Sequence, residues 1–315
     1  MSEKRISWDE GISIVIPTYK RPHGIATALP SVIGQVADGR PIEIIVADND
    51  PAGSAREYVE SFSSQSDATI IYVHVPEPGV SNARNGAVAH ARGRFIVFLD
   101  DDMEAIGDVD GHWLAPLIAT AERFDAGIVF GPAIATVPDL TNPVQRYMIP
   151  IYSRVRDMED GLLKKGIATG NCLLDRQRCA FPDPMFDPAL NEAGGEDDAL
   201  FEHLAAGGTK IAYCNAAKTL EHVPATRATL RYIWRRNFSW GQSPSRNAAD
   251  MGIKGLAKVL FWMMIGTVQL TANGLAFCVL RLLGRPQYVK FFARFSQGVG
   301  KVLWSDRLTP KLYGN

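Results

Sequence analysis

The chain has 315 residues, 46% hydrophobic and 21% charged, with 33 Lys and Arg against 34 Asp and Glu. This length allows about two domains. The composition is globular and excludes collagen-like and disordered classes, and the near-neutral balance argues against a nucleic-acid partner.

Residues 12–17 form a β-branched run closed by proline, the pattern of a buried first strand. Residues 21–36 have helical spacing, and 42–47 read as a second strand ending at Asp48-Asn49-Asp50-Pro51. A helix over about 54–62, a strand over 69–75, a helix over 81–90 and a strand over 95–99 follow, the last stopping at Asp100-Asp101-Asp102. Such alternation implies an α/β, mostly parallel sheet with helices on both faces. Ligands bind outside the carboxyl ends of strands in these sheets, and the first, second and fourth strands all end in polar, turn-forming residues. Beyond residue 104 the pattern loosens. A helix over 113–124, strands over 127–130, 170–174 and 210–214, and a helix over 199–206 remain readable, whereas 138–161 has no clear period. The four cysteines, Cys172, Cys179, Cys214 and Cys278, form neither a CxxC pair nor a zinc spacing. The N-terminus lacks the apolar core of a signal peptide. Together these imply a cytoplasmic, reduced body.

Three consecutive aspartates repel one another when ionised and call for a counter-cation. Hard carboxylate oxygens select Mg²⁺ or Mn²⁺, which one or two carboxylates and substrate phosphates commonly hold. The competing reading is an exposed acidic turn or a helix cap. GxGxxG and GxxxxGK[ST] are both missing from the sequence, which disfavours a dinucleotide dehydrogenase and a P-loop enzyme. A diphosphate would then rest on the metal and on isolated basic groups, of which Arg84 is the best placed.

Five segments together resemble a family 2 glycosyltransferase with the GT-A fold, closest in pattern to bacterial exopolysaccharide glucosyltransferases of the succinoglycan type. They are Ser13-Ile14-Val15-Ile16-Pro17-Thr18-Tyr19-Lys20-Arg21-Pro22, Ile45-Val46-Ala47-Asp48-Asn49-Asp50, Ser81-Asn82-Ala83-Arg84-Asn85-Gly86, Phe98-Leu99-Asp100-Asp101-Asp102 and Gly194-Gly195-Glu196-Asp197-Asp198-Ala199-Leu200-Phe201. The resemblance implies a metal-dependent, inverting transfer of a hexose such as glucose from a UDP-linked nucleotide-sugar to a saccharide on a polyprenyl diphosphate. It assigns Pro17, Thr18, Tyr19 and Arg21 to the loop against the nucleotide and Asp48 to the nucleotide itself, with Asn49 where a second aspartate is commoner. It places Asp100 and Asp101 on the nucleotide-sugar, with Asp102 as the direct metal ligand and Asp100 as its companion. Asp197 is the implied base, with Glu196 or Asp198 as alternatives, and either His222 or Glu221 would complete the metal site. Arg235-Arg236-Asn237-Phe238-Ser239-Trp240-Gly241 resembles the segment of non-processive members, and QxxRW of processive synthases is missing. A sugar nucleotidyltransferase and an inactive nucleotide-binding membrane scaffold are the other classes that this acidic α/β pattern allows. The first would need a glycine-rich loop where Pro17-Thr18-Tyr19-Lys20 stands.

The catalytic domain is expected over residues 1–250 and a membrane-associating tail over 251–315. The tail holds nine Lys and Arg against Asp306 alone, so the rest of the chain is acidic. Lys258 and Arg281 bracket an uncharged stretch long enough to cross a hydrocarbon core of about 30 Å. Basic residues flank both ends and Asn273-Gly274 is a turn dipeptide, so a re-entrant or in-plane hairpin on the anionic cytoplasmic leaflet fits better than a simple span. From Tyr288 to Val302, aromatic and aliphatic residues recur at helical spacing, the pattern of an interfacial helix.

Overall fold

Alternate residues of the early strands face opposite helical layers, and that alternation builds the core. In the computed structural model, which describes residues 8–107, 112–191 and 194–310 except the side chain of Asp306, β1 (Ile12–Thr18) turns Ile12, Ile14 and Ile16 to one face and Val15 to the other. The first seven residues, read above for a signal peptide, and Lys311 lie outside the described residues. The chain divides into two compact units, one reaching to Ala135 and resuming over Tyr152–His222, the other made of Thr136–Ile151 and the residues from Val223 on.

In the first unit β1 leads into α1 (Pro22–Val32), β2 (Ile42–Asp48), α2 (Arg56–Ser63), β3 (Thr69–His74), α3 (Val80–His90), β4 (Phe95–Leu99) and β5 (Met103–Ala105). There follow α4 (Leu114–Phe124), β6 (Ile128–Phe130) and β7 (Ala133–Thr136); the chain then passes through α5 (Pro143–Tyr152), nearly all of which falls in the second unit, and returns to the first with β8 (Gly161–Leu163), β9 (Asn171–Asp175), α6 (Glu196–Ala206), β10 (Ile211–Tyr213) and β11 (Thr219–His222). Eight strands form one sheet in the order β3-β2-β1-β4-β9-β6-β10-β8. The first four run parallel, with Thr18 opposite Asp48 and Val15 opposite Phe98. That register brings the polar ends of β1, β2 and β4 to one side, as expected. Ile25, Leu29, Val59 and Leu117 cover one face of the sheet, and Ala87, Leu200, Phe201 and Leu204 cover the other.

Several elements depart from the sequence reading. β9 runs antiparallel to both β4 and β6, a direction that its apolar pattern does not encode. A second sheet, β5-β11-β7, forms from strands too short for a periodic signal. Helix α6 starts at Glu196 and not near Ala199, so its acidic residues occupy the first turn, where carboxylates suit the helix dipole.

The second unit contains α7 (Leu230–Ala249), α8 (Leu256–Leu282) and α9 (Tyr288–Val302), packed against one another. The boundary expected at residue 250 falls at the end of α7, which shares this unit with α8 and α9. Close approach depends on small residues: a side chain at Gly241 would strike the Gln297 carbonyl, and one at Gly300 would strike that of Phe238. The hairpin expected at Asn273-Gly274 does not form, because α8 runs straight through. Asn273 Nδ2 donates to the Gln269 carbonyl at 2.6 Å, and the bare Gly274 lies against the Phe295 ring. That glycine is selected by packing.

Buried carboxylates pin the rim of the large sheet. Asp175 is fully buried and accepts hydrogen bonds from Arg94 Nε and Nη2 at 3.0 and 2.8 Å, from Arg178 and from the Gln177 amide. Burial pushes its carboxyl pKa up, but these donors prevail and hold it below the ordinary range. Such a group stabilises the fold above the ordinary carboxylate pKa and loses that contribution as pH falls through its depressed value. Asp175→Ala should therefore cost about 3–5 kcal/mol in urea unfolding at neutral pH. The gap between wild type and variant should narrow steadily once the pH drops below about 4.

Candidate active site

The fully apolar β4 ends at Leu99, and the three aspartates that follow turn in different directions. Asp101 points inward, with a side chain 6% exposed. Thr18 Oγ1 donates to its Oδ2 at 2.8 Å, and Arg21 Nη1 donates at 2.9 Å both to Asp101 Oδ1 and to Asp102 Oδ2. Lys20 adopts a positive φ of 54°, which turns the loop after β1, and Gly24 lets α1 approach the Asp101 carbonyl where a Cβ would lie 2.6 Å away. Burial raises the Asp101 pKa to about 6, with Arg21 opposing and Asp102 adding to the rise. Asp101, expected on the nucleotide-sugar, instead fastens the first loop to the end of β4. The outer pair is more open, 31% for Asp100 and 17% for Asp102. Of the other first-loop residues, Pro17 is half-buried and Tyr19 is exposed, with Lys20 Nζ 5.0 Å from its ring centre.

Arg84, expected on a diphosphate, is buried in α3 between two acidic ends. Its Nη1 donates to Glu196 Oε1 at 2.7 Å, and its Nη2 lies 3.5 Å from Asp100 Oδ1. The Phe186 ring lies 5.3 Å from the guanidinium carbon. A charged group taken this far from water needs its ion partners to offset lost hydration, so Arg84 ties the end of β4 to the start of α6. The sequence expected Glu196 as an alternative base, but its carboxylate is buried on Arg84. Its neighbour Asp197 is half-buried and less committed: the Asp198 amide donates to Oδ1 at 3.1 Å and the Thr169 amide to Oδ2 at 3.4 Å. Gly194 and Gly195, with φ of 74° and 92°, make the left-handed turn that launches α6. Just before β9, Gly170 leaves room for Asp100, whose Oδ2 a side chain there would strike. In the sequence, nothing marks Gly170 beyond its place at a strand start.

Asp48, which the resemblance puts on the nucleotide, is held by the protein's own donors. Its side chain is fully buried. Oδ1 accepts from the Asp50 amide at 3.0 Å, and Oδ2 from the Ala55 amide at 2.8 Å and from Tyr72 Oη at 3.0 Å. With both oxygens engaged, Asp48 holds the β2–α2 turn. Asn49 is also committed, donating to the Val75 and Glu77 carbonyls and accepting from the Gly79 amide. The commonest reading of an acidic strand end, a ligand contact, yields here to a turn that needs its own acceptors.

The two alternatives for a further ligand separate clearly. The His222 backbone donates to the Asp102 carbonyl at 2.8 Å, but its imidazole is exposed and lies 3.2 Å from Glu104. His222, expected as a possible further metal ligand, thus meets Asp102 through its backbone and Glu104 through its ring. Glu221 is buried and lies 2.8 Å from Arg154, a residue that the unpatterned stretch before β8 concealed. Burial pushes the Glu221 pKa up to about 7, Arg154 opposes the rise, and Asp102 and Asp100 add to it. Among the described residues no three His, Cys, Asp or Glu side chains are grouped to hold a metal by themselves.

The role of Asp48 can be tested without touching the crevice. Tyr72→Phe removes one bond to a charged acceptor and should cost about 1.5–3 kcal/mol in urea unfolding. A cost below about 0.5 kcal/mol, the range of an ordinary surface substitution, would contradict the turn role.

Residues 13–179 match the family described as Glycosyl transferase family 2. The chain is 34% identical over 239 residues to the succinoglycan biosynthesis protein ExoM of Rhizobium meliloti (strain 1021), a match covering 76% of this chain and 75% of that protein. Over 92 residues, 29% of this chain and 34% of the relative, it is 36% identical to the UDP-Glc:alpha-D-GlcNAc-diphosphoundecaprenol beta-1,3-glucosyltransferase WfgD of Escherichia coli. The crystal structure of GalNAc-T7 with UDP, GalNAc and Mn2+ superposes with a TM-score of 0.51 at 16% identity, covering 75% of this chain and 51% of that one. The last likeness concerns the fold alone. The family match and the extent of the similarity to ExoM show that the chain belongs to glycosyl transferase family 2, and its fold is of the GT-A type.

Proposed function

We propose that the protein is a non-processive, inverting hexosyltransferase. It moves a sugar such as glucose from a UDP-linked donor to a saccharide carried on a polyprenyl diphosphate, at the cytoplasmic face of the membrane. The observation that carries this reading is the Arg84 bridge, which draws the acidic end of β4 and the acidic start of α6 to one guanidinium. Donor and acceptor chemistry need two such acidic centres, one for the leaving diphosphate and one for the attacking hydroxyl. The name of WfgD gives UDP-Glc and a diphosphoundecaprenol-linked sugar as its substrates. That of ExoM gives succinoglycan biosynthesis.

The residues fit a divalent cation. Asp100 and Asp102 are the two members of the triplet that solvent reaches, and their hard oxygens suit Mn²⁺ or Mg²⁺. Two protein carboxylates leave the remaining positions to phosphate oxygens and water. When bound, the ion supplies Lewis-acid neutralisation of the departing diphosphate.

The chain's own residues perform the rest. Asp101, held by Thr18 and Arg21, fixes the first loop against the donor side. Arg84 and Glu196 set the start of α6, and Asp197 there accepts the proton of the acceptor hydroxyl. As the hydroxyl oxygen bonds to the anomeric carbon, the bond from that carbon to the phosphate oxygen breaks on the opposite side, inverting the centre. A positioned carboxylate base of this kind contributes typically about 10²–10⁴-fold.

Two near-isosteric variants separate the centres. Asp102→Asn should lose metal-dependent donor binding in calorimetry as well as turnover. Asp197→Asn should bind UDP-sugar with unchanged affinity and lose about 10²–10⁴ in transfer rate. Collapse of donor affinity in Asp197→Asn would move Asp197 out of the base role, and full Mn²⁺-dependent activity in Asp102→Asn would end the metal assignment.

A further inference from the structure

The 27-residue helix α8 has two unlike sides. One packs on α9 through Val259 and Gly266, where the Gly298 carbonyl would lie 2.8 Å from an added Cβ. The other bears Leu256, Leu260, Met264, Val268, Leu275 and Leu282, at helical spacing and all exposed, with Leu282 at 87%. Ile253, just before the helix, is 94% exposed. This stripe runs the full length of the helix, about 40 Å at 1.5 Å per residue. Single exposed apolar residues are ordinary, but a contiguous stripe of this size marks an interaction surface.

The polar residues that interrupt α8 make no demand on water. Thr267 and Thr271 donate to the carbonyls of Met263 and Thr267 at 3.0 and 2.9 Å, and Asn273 donates to the Gln269 carbonyl. Gln269 accepts from Lys301 Nζ at 2.9 Å. Hydroxyls bonded back to their own helix are the form these residues take where solvent is scarce. Charge complements the stripe: Lys254, Lys258, Arg281 and Arg285 flank it at both ends and are exposed, and α7, α8 and α9 contain no Asp or Glu.

Length and hydropathy alone would let α8 cross a bilayer. Its packing favours another arrangement. α9 lies along α8 and α7 lies along α9, joined by the Gln297 Nε2 bond to Asn237 Oδ1 at 2.8 Å. α9 carries Lys290, Arg294 and Lys301, and α7 carries four arginines. A spanning α8 would draw these charges into hydrocarbon, at about 2.5–3.5 kcal/mol for each one on an insertion scale.

We infer that α8 lies in the plane of an anionic leaflet, its stripe embedded at the boundary of headgroups and acyl chains and α9 and α7 on its water side. The occupant of the apolar face is lipid, and the flanking basic residues confer preference for anionic headgroups. The inference deepens the membrane part of the proposed function but is independent of donor and acceptor, so donor hydrolysis in the same preparation reports separately on the enzymatic reading.

The test uses full-length protein and two vesicle types, phosphatidylcholine alone and with phosphatidylglycerol. Flotation should show binding at least tenfold tighter to the anionic vesicles. Leu260→Glu with Val268→Glu should cut that binding at least tenfold while leaving the melting temperature unchanged, because both side chains are exposed. The native Cys278, exposed on α8, takes a spin label, as do Leu260→Cys and Val268→Cys placed singly in a Cys278→Ser background. Power saturation should give all three positions similar shallow depths, about 5–10 Å below the headgroups. Val268 near the bilayer centre with the other two near opposite interfaces would mean a span and overturn the inference. Equal binding to both vesicle types would overturn the anionic preference. Failure to bind either, with a dimer in sedimentation, would assign the stripe to a second copy of the chain.

Discussion

Five carboxylates gather around the carboxyl ends of the parallel strands, and the site depends on how they are kept apart and neutralised. Two unit charges 4 Å apart at an effective dielectric of 20 repel by about 4 kcal/mol, so Asp100, Asp101, Asp102, Glu196 and Glu221 require compensation. Arg21, Arg84 and Arg154 supply it in fixed geometry. Each arginine belongs to a different segment of the chain, and each therefore joins its segment to the acidic cluster. Arg21 secures the loop after β1, Arg84 anchors α3 to α6, and Arg154 meets β11.

Sequence legibility follows from the range of the interactions involved. The first four strands were readable because β-branched runs with polar ends are local signals, and the register of β1 with β2 and β4 then follows from the parallel layout. The antiparallel direction of β9 was not readable, since an apolar run has no polarity of its own. In the candidate site, residue types can be collected from the sequence but their partners cannot. Arg84 and Asp101 look like substrate contacts when read alone; buried, each is claimed by protein charges far away in sequence. Asp48 looks the same as Asp100 in sequence, both closing an apolar strand. The difference lies in the following turn, which folds back to present the Asp50 and Ala55 amides to Asp48. His222 has the donor chemistry of a metal ligand in the sequence, but its contact with Glu104, far away along the chain, is not legible there.

In the second unit the sequence signalled apolar length but not what the glycines were for. Gly241, Gly266, Gly298 and Gly300 read as weak points in helices, at about 1 kcal/mol each relative to alanine. They permit helix backbones to meet closely enough for the buried polar groups of α7 and α9 to pair, including Ser245 Oγ with the Lys301 carbonyl at 2.8 Å. With those polar groups satisfied internally, the outer side of α8 is left apolar.

The stereochemistry of the released sugar tests the central chemical claim most directly. With donor and metal alone, water takes the place of the acceptor hydroxyl beside Asp197, and proton NMR can record the first anomer formed before it equilibrates. From an α-linked UDP-sugar, a single displacement gives the β-anomer first, and that is the result this account predicts. Initial release of the α-anomer would contradict it, because retention requires attack on the same side or two successive displacements.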